Sequence, residues 1–319
     1  RVWCNYEMYR AVVNKVDIEI AMPERESADF LEALQHGTGI DEMWHALGNV
    51  NIESAQASVE ADRHRILDLI CRGPGFRTLN IVVSENLQAW IVNVALAQVN
   101  IILGSRTQVA QVSDAILCRQ AGDLLRKVGQ FQRAMEVLCS ARAIHEQCGA
   151  LDTLHGAELL RVIGIVKRES GNSQGALEDF EAAKKILERI GMLETPDGSM
   201  VLQSIGIAHR ALGNFEDSLQ YLKSALHIRK QSGTLQSRDG ADCYLSLGIA
   251  QRQKGDLDSA LEDLENAKAI MEATSSLNSP DGADLLRNLG VVLRDKGDLD
   301  GSLASLGYAK DLLERLGTI

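Results

Sequence analysis

The sequence has little proline and lacks the common signatures of catalysis. Only four of its 319 residues are proline, and this scarcity permits long helices. It contains no glycine-rich phosphate loop after a predicted strand and no HExxH zinc motif. The seven histidines are scattered, and His209 and His227 have no second ligand at metal spacing. We therefore expect no metal and no cofactor, and these residues predict no complete active site.

A basic excess and a disulfide pattern are also missing. The 33 lysines and arginines are outnumbered by 44 aspartates and glutamates, a formal charge of −11, so we expect no nucleic-acid partner. The six cysteines form no CxxC pair, which favours reduced thiols and a cytoplasmic location. Two glutamines and two asparagines interrupt the most apolar stretch, residues 87–103. We therefore expect a buried helix there and no membrane span.

What the sequence has instead is a repeat of 42 residues. Self-similarity at a period of this size is typical of a stacked array, in which each unit buries its apolar face against its neighbours. The copies begin at Ala115, Ala157, Ser199, Ala241 and Ala283, and the fifth is incomplete.

Glycines mark two positions in each copy. The first lies midway through an apolar stretch, where it is costly unless a second helix approaches closely, so it predicts a tight helix pair. The second follows seven residues later and predicts the turn between the two helices. The first set is Gly122, Gly164, Gly206, Gly248 and Gly290, and the second is Gly129, Gly171, Gly213, Gly255 and Gly297.

The second helix and the linker repeat as well. Small residues recur at two positions seven apart, on one helical face, with a bulky residue between them. The helix is predicted to end at Gly149, Gly191, Gly233 and Gly317, with Ser275 as the departure. A linker leucine is predicted to pin the loop, and Asp197, Asp239 and Asp281 are predicted to cap the following helix. His155 stands at the same position in the first copy.

These spacings resemble a known family. A glycine, a second glycine seven later, and small residues twelve and nineteen later resemble the tetratricopeptide repeat, in the 42-residue form of kinesin light chains and nephrocystin-like proteins. The resemblance covers residues 115–319 and implies a mostly α fold, a right-handed α-solenoid of five helical hairpins. We expect connecting helices at residues 77–114.

Residues 1–76 follow a different pattern. We predict helices at residues 3–14, 27–35 and 54–71, and strands at residues 16–22 and 50–52, which together indicate a partial α/β domain whose N-terminal half is missing. Residues 317–319 repeat the start of a linker. We therefore expect a segment of a longer chain.

A short motif in residues 1–23 carries a second resemblance. Trp3, Cys4 and Glu7 resemble the W-C-x-x-E segment of Toll/interleukin-receptor domains, in which the glutamate is catalytic in members that hydrolyse NAD. The resemblance implies that Glu7 stabilises positive charge developing on the ribose. The alternative function is therefore the C-terminal portion of a multidomain signalling protein with such a domain, the repeats acting as its sensor.

The first helices carry a ladder of arginines, one in every copy, four residues after the mid-helix glycine. The ladder arginines are Arg126, Arg168, Arg210, Arg252 and Arg294; Arg119, Arg161 and Arg287 precede three of them by seven residues, and Ile165, Ile207, Ile249 and Val291 lie between. The family resemblance implies that this stripe faces a concave groove, in which kinesin light chains accept peptides that pair a tryptophan with acidic residues.

The stripe predicts a function. Guanidinium groups suit carboxylates, so we predict an interaction scaffold that binds an acidic, partly apolar peptide segment of another protein. The alternative for the ladder is structural, with the acidic turns of the later repeats as its counter-charge.

Overall fold

The computed structural model describes residues 2–14, 24–36, 39–40, 43–44, 52–53, 55–56, 60–104 and 111–316. Fourteen helices have their bounds within these residues. They are α1 Val2–Val13, α2 Glu24–His36, α3 Glu60–Arg72, α4 Gly75–Gly104, α5 Val112–Lys127, α6 Phe131–Gln147, α7 Leu154–Glu169, α8 Ser173–Arg189, α9 Pro196–Ala211, α10 Phe215–Gln231, α11 Arg238–Lys254, α12 Leu257–Ala273, α13 Pro280–Lys296 and α14 Leu299–Leu316.

The expected α/β segment is not supported. The described residues of the N-terminal part are helical or irregular, and no strand is present among them. The predicted strand at residues 16–22 lies outside the described residues, as does most of the one at residues 50–52, and Ile52 lies in a bend. The predicted helices at residues 3–14 and 27–35 are confirmed by α1 and α2.

The chain divides into two compact units, residues 1–106 with 311–319, and residues 107–310. In the first unit, Ile66 and Ile70 of α3 pack with Leu79 and Val83 of α4 in a buried cluster. Asn80 accepts a hydrogen bond from the backbone N–H of Ile52 at 3.1 Å, which satisfies a buried polar group. The domain boundaries expected from the sequence, at residues 76 and 114, stay a prediction.

The helix α4 is long and apolar enough to cross a bilayer by length and composition. It is the one helix of that kind in the part of the chain that the structure describes. Only 22% of its apolar window is buried among the described residues, so the expected buried helix is not confirmed. Length and composition alone do not establish a membrane span.

The second unit consists of helical hairpins built on the mid-helix glycines. In each hairpin, a Cβ atom added to that glycine would come within 2.5 to 2.8 Å of one bulky side chain of the second helix, which confirms the predicted close approach. These side chains are Leu138, Phe180, Leu222, Leu264 and Leu306. The second helix also packs against the first helix of the next repeat, as Phe180 and Leu187 of α8 do in a cluster with Val201 and Ile205 of α9.

The predicted helix caps are wrong by two residues in each repeat. The residues that cap α7, α9, α11 and α13 are Thr153, Thr195, Ser237 and Ser279, whose hydroxyls accept from the backbone N–H three residues later. The aspartates at 197, 239 and 281 lie inside the first turn instead. The glycine after each of them is required because a Cβ there would collide with the carbonyl of the linker leucine.

The ends of the second helices follow the prediction. Gly149, Gly191 and Gly233 have φ of 63°, 71° and 70°, the left-handed conformation expected there. Ser275 adopts the same conformation, with φ of 56°. Gly317 lies outside the described residues.

Candidate functional site

The structure places the ladder arginines side by side on successive first helices, and most of them are tied to the next repeat. Arg126 donates to Asp123 at 2.8 Å and to Glu169 of the next first helix at 3.1 Å. Arg252 reaches Asp295 at 3.1 Å in the same way. Although burial opposes it, these two carboxylates raise the pKa of Arg126. Part of the ladder is thus neutralised inside the protein.

Arg126, Arg210 and Arg252 each reach the residue that follows the ladder arginine of the next repeat. This position holds Glu169, Ala211, Gln253 and Asp295 in successive repeats. Where it is Ala211, Arg168 turns to Glu169 of its own helix at 3.2 Å. The acidic turns, which we expected to supply the counter-charge, pair elsewhere: Glu216 with Lys254, Asp217 with His209, and Asp258 with Lys296.

Two of the predicted arginines have no carboxylate partner in the described part of the chain. Arg210 donates only to the amide oxygen of Gln253, at 3.4 Å. Burial lowers its pKa, and so do the neighbouring charges of Arg168 and Arg252. Arg161 is half-buried and makes neither a hydrogen bond nor an ion pair with any described residue. Burial lowers the pKa of Arg161, although the charges of Asp123 and Glu158 oppose that shift. These are the guanidinium groups that an external anion could neutralise.

The remaining predicted arginines are paired. Arg119 is buried and meets Glu158 at 3.1 Å. Arg287 bonds to Asp284 of its own helix with Nε at 3.1 Å. Arg294 meets Asp295 at 2.9 Å and is 59% exposed. Ile249 and Val291 are half-buried on α11 and α13.

A cavity of about 190 Å³ brings together four residues of the predicted stripe. Arg161, Ile165 and Arg168 of α7 line one side, and Ile207 of α9 lies opposite with Met200, Gln203 and Ser204. The cavity is completed by Arg229, Asp239 and Asp242. Apolar and cationic groups therefore face one space. The other eight predicted residues lie outside its lining.

Arg229 was missed by reasoning from the sequence. It lies on the second helix α10, and it is 1% exposed. The same position of the repeat is Leu187 in α8 and Met271 in α12, both buried. The sequence did contain a signal for Arg229, because a charged residue stands at a position that is apolar in the two neighbouring copies.

Two aspartates of α11 balance part of this charge. Asp239 accepts from Arg229 at 3.4 Å, and its side chain is half exposed. Burial, together with the charge of Asp281, raises the pKa of Asp242 to about 6. Asp242 is therefore mostly ionised at neutral pH, and it loses its charge as the pH falls through about 6.

Glu7 is exposed on α1. The side chain of Trp3 lies outside the described part of the chain.

Comparison with known proteins identifies the repeats. Residues 156–231 and 204–270 match sequence profiles described as tetratricopeptide repeat. The chain therefore carries tetratricopeptide repeats, which indicate a protein-interaction scaffold. The matches do not support the Toll/interleukin-receptor resemblance of residues 1–23. No curated protein matches the chain significantly by sequence.

Three solved structures share the fold. BtubC from P. vanneervenii is 21% identical, covers 69% of this chain and 89% of its own, and has a TM-score of 0.58. A putative kinesin light chain from Podosopora anserina is 17% identical, with 63% and 95% covered and a TM-score of 0.52. A Rap protein complexed with competence and sporulation factor is 16% identical, with 92% and 78% covered and a TM-score of 0.60.

Proposed function

We propose that the array binds an acidic, partly apolar segment of another protein at the cavity beside α7 and α9. The observation that carries this proposal is Arg161, a half-buried guanidinium that forms no hydrogen bond or ion pair with a described residue and lines a cavity with Ile165 and Ile207. The charges of Asp123 and Glu158 act on it only from beyond ion-pair distance. A guanidinium held partly away from water is stabilised by a carboxylate, with which it forms two parallel hydrogen bonds. The apolar floor suits an aliphatic or aromatic side chain next to that carboxylate.

The ion pairs that ladder arginines form within the protein limit which of these arginines can bind the ligand. Arg126 and Arg252 already meet carboxylates of the next repeat, so they are less able to bind an external anion than Arg161 and Arg210. Arg168 has no partner in the next repeat and shares Glu169 with Arg126. The ligand is therefore proposed to lie against the second and third repeats.

The six free cysteines support the further proposal that the protein works in a reducing compartment such as the cytoplasm.

A peptide library tests this function. Its members pair one Asp or Glu with one Leu, Ile, Phe or Trp, and a matched library replaces the acids with Asn and Gln. We expect the acidic library alone to bind, and Arg161→Glu to weaken binding about tenfold or more, because a charge-assisted pair is replaced by repulsion. Isothermal titration measures the affinity, and circular dichroism checks the helicity.

Arg287→Glu is the matched control. Arg287 belongs to the same predicted stripe but is exposed, paired with Asp284 and outside the cavity. Its substitution should leave peptide affinity within about twofold, as expected for a distant charge screened by salt. Equal binding of both libraries, or unchanged affinity in Arg161→Glu, would contradict the proposal.

A further inference from the structure

The cavity contains a buried guanidinium that the protein itself does not satisfy. Arg229 reaches Asp239 through Nη1 at 3.4 Å, and its Nε and Nη2 have no hydrogen-bond partner among the described residues. Its side chain is almost completely buried. Buried donors in folded proteins are nearly always paired, so unpaired donors on a charged group need an explanation.

Packing does not explain the arginine. The equivalent positions of α8 and α12 hold Leu187 and Met271, and both are buried in the same hairpin geometry. An apolar side chain is therefore sufficient to build the hairpin. A buried charge at this position is expected to destabilise the protein unless an anion meets it.

The charges around Arg229 favour an anion of low charge. Arg161 and Arg168 face it from α7, and Asp239 and Asp242 face it from α11. Glu169 neutralises Arg168 in part. The lining carries three guanidinium groups and two aspartates, and Glu169, outside the lining, is shared between Arg126 and Arg168, so the surplus is one positive charge at most. A carboxylate matches this surplus better than a doubly charged phosphate, which the aspartates would repel more strongly.

We propose that Arg229 is the receptor for a single Asp or Glu side chain of the bound segment, and that it is a specificity-determining residue contributed by a second helix. This inference rests on the proposed function and adds an inner subsite to it. The Nε–H and Nη2–H groups of the planar guanidinium would donate two hydrogen bonds to the carboxylate, and Arg161 lines the same cavity. Ile165, Met200 and Ile207 receive the apolar neighbour of that acid.

Nuclear magnetic resonance of the arginine Nε–Hε groups tests the subsite directly. The probes are acetyl-Leu-Glu-amide, its uncharged isostere acetyl-Leu-Gln-amide, and inorganic phosphate. We expect the Glu probe to shift the Arg229 signal in a saturable manner, and the Gln probe to leave it unchanged. Arg229→Met, which places the residue of α12 in α10, should weaken the Glu probe at least tenfold. Arg229→Lys should retain part of the affinity.

The outcomes separate this inference from the proposed function. If Arg229→Met keeps the affinity while Arg161→Glu loses it, the groove binds acidic segments and the inner subsite is wrong. If the Gln probe binds like the Glu probe in the wild-type protein, both proposals fail. Stronger binding of phosphate would overturn the assignment to a carboxylate, as would the absence of any shift at Arg229. A melting temperature of Arg229→Met equal to or above the wild-type value separates lost binding from lost folding, and Arg229→Lys covers the case in which it does not fold.

Discussion

At the scale of single residues, Ser275 is the one non-glycine residue of the described chain with a positive φ. It ends α12 where the earlier repeats use glycine. The left-handed conformation costs an L-residue about 1 to 2 kcal/mol because its Cβ crowds the following carbonyl oxygen. No hydrogen bond of its hydroxyl with a described residue compensates for this strain.

Ser275→Gly should therefore stabilise the protein. Glycine removes the strain but raises the entropy of the unfolded chain, so we expect the free energy of unfolding to rise by about 0.5 to 1 kcal/mol. Urea denaturation measures this change. Ser275→Ala keeps the Cβ and is the control, for which no gain is expected. A gain as large in Ser275→Ala would show that strain is not the cause.

Residue type alone does not identify which linker residue caps each first helix. Ser, Thr and Asp are all good caps, and the linkers offer a hydroxyl residue and an aspartate within three positions, as in Thr195 and Asp197. The choice is made by Gly198, because only a glycine lets the carbonyl of Leu193 lie against the third helical residue. That contact is tertiary, so the spacing of the sequence indicated a cap but not which residue provides it.

At the scale of elements, the sequence predicted the two helices and the turn of each hairpin, but it did not predict the ion pairs between repeats. The glycine spacing of 42 and the apolar face fixed the helices and the turn, because both are local. The ion pair of Arg126 with Glu169 joins residues 43 apart, and Arg229 reaches its cavity from a second helix. Such contacts depend on how neighbouring hairpins are placed, which periodicity alone does not specify.

Gly206→Ala tests the packing within one hairpin. Alanine favours helix by about 1 kcal/mol, but its Cβ would lie 2.7 Å from Cγ of Leu222 and 3.1 Å from the carbonyl oxygen of Ser218. Overpacking should win, and we expect the free energy of unfolding to fall by about 1 to 3 kcal/mol. Chemical denaturation with circular dichroism detection measures the change.

Gly307→Ala is the matched control for that substitution. Gly307 is also within a helix, α14, and a Cβ there would meet no described atom within 4 Å apart from its own helix neighbours. We expect a gain of up to about 1 kcal/mol from helix propensity. Opposite signs for the two variants would assign the loss at Gly206 to the side chain of Leu222. Losses of similar size would contradict that assignment.

At the scale of the whole molecule, residues 107–310 form a linear arrangement of contacts. The helix α8 packs on α7 of its own hairpin and on α9 of the next, and α10 packs in the same way on α9 and α11. The stability of such an array is approximately the sum of each unit and its nearest-neighbour interfaces. A defect should therefore act locally and decay along the chain.

Hydrogen exchange of Gly206→Ala tests this decay. The substitution weakens the hairpin of α9 and α10, so amide exchange should accelerate most in these two helices. The adjoining α8 and α11 lose part of a neighbour interface and should accelerate less, while α5 and α6, two hairpins away, should keep the wild-type rate. Mass spectrometry of peptides from each helix measures the profile. A uniform acceleration from α5 to α12 would contradict the nearest-neighbour description and would show that the array unfolds as one cooperative unit.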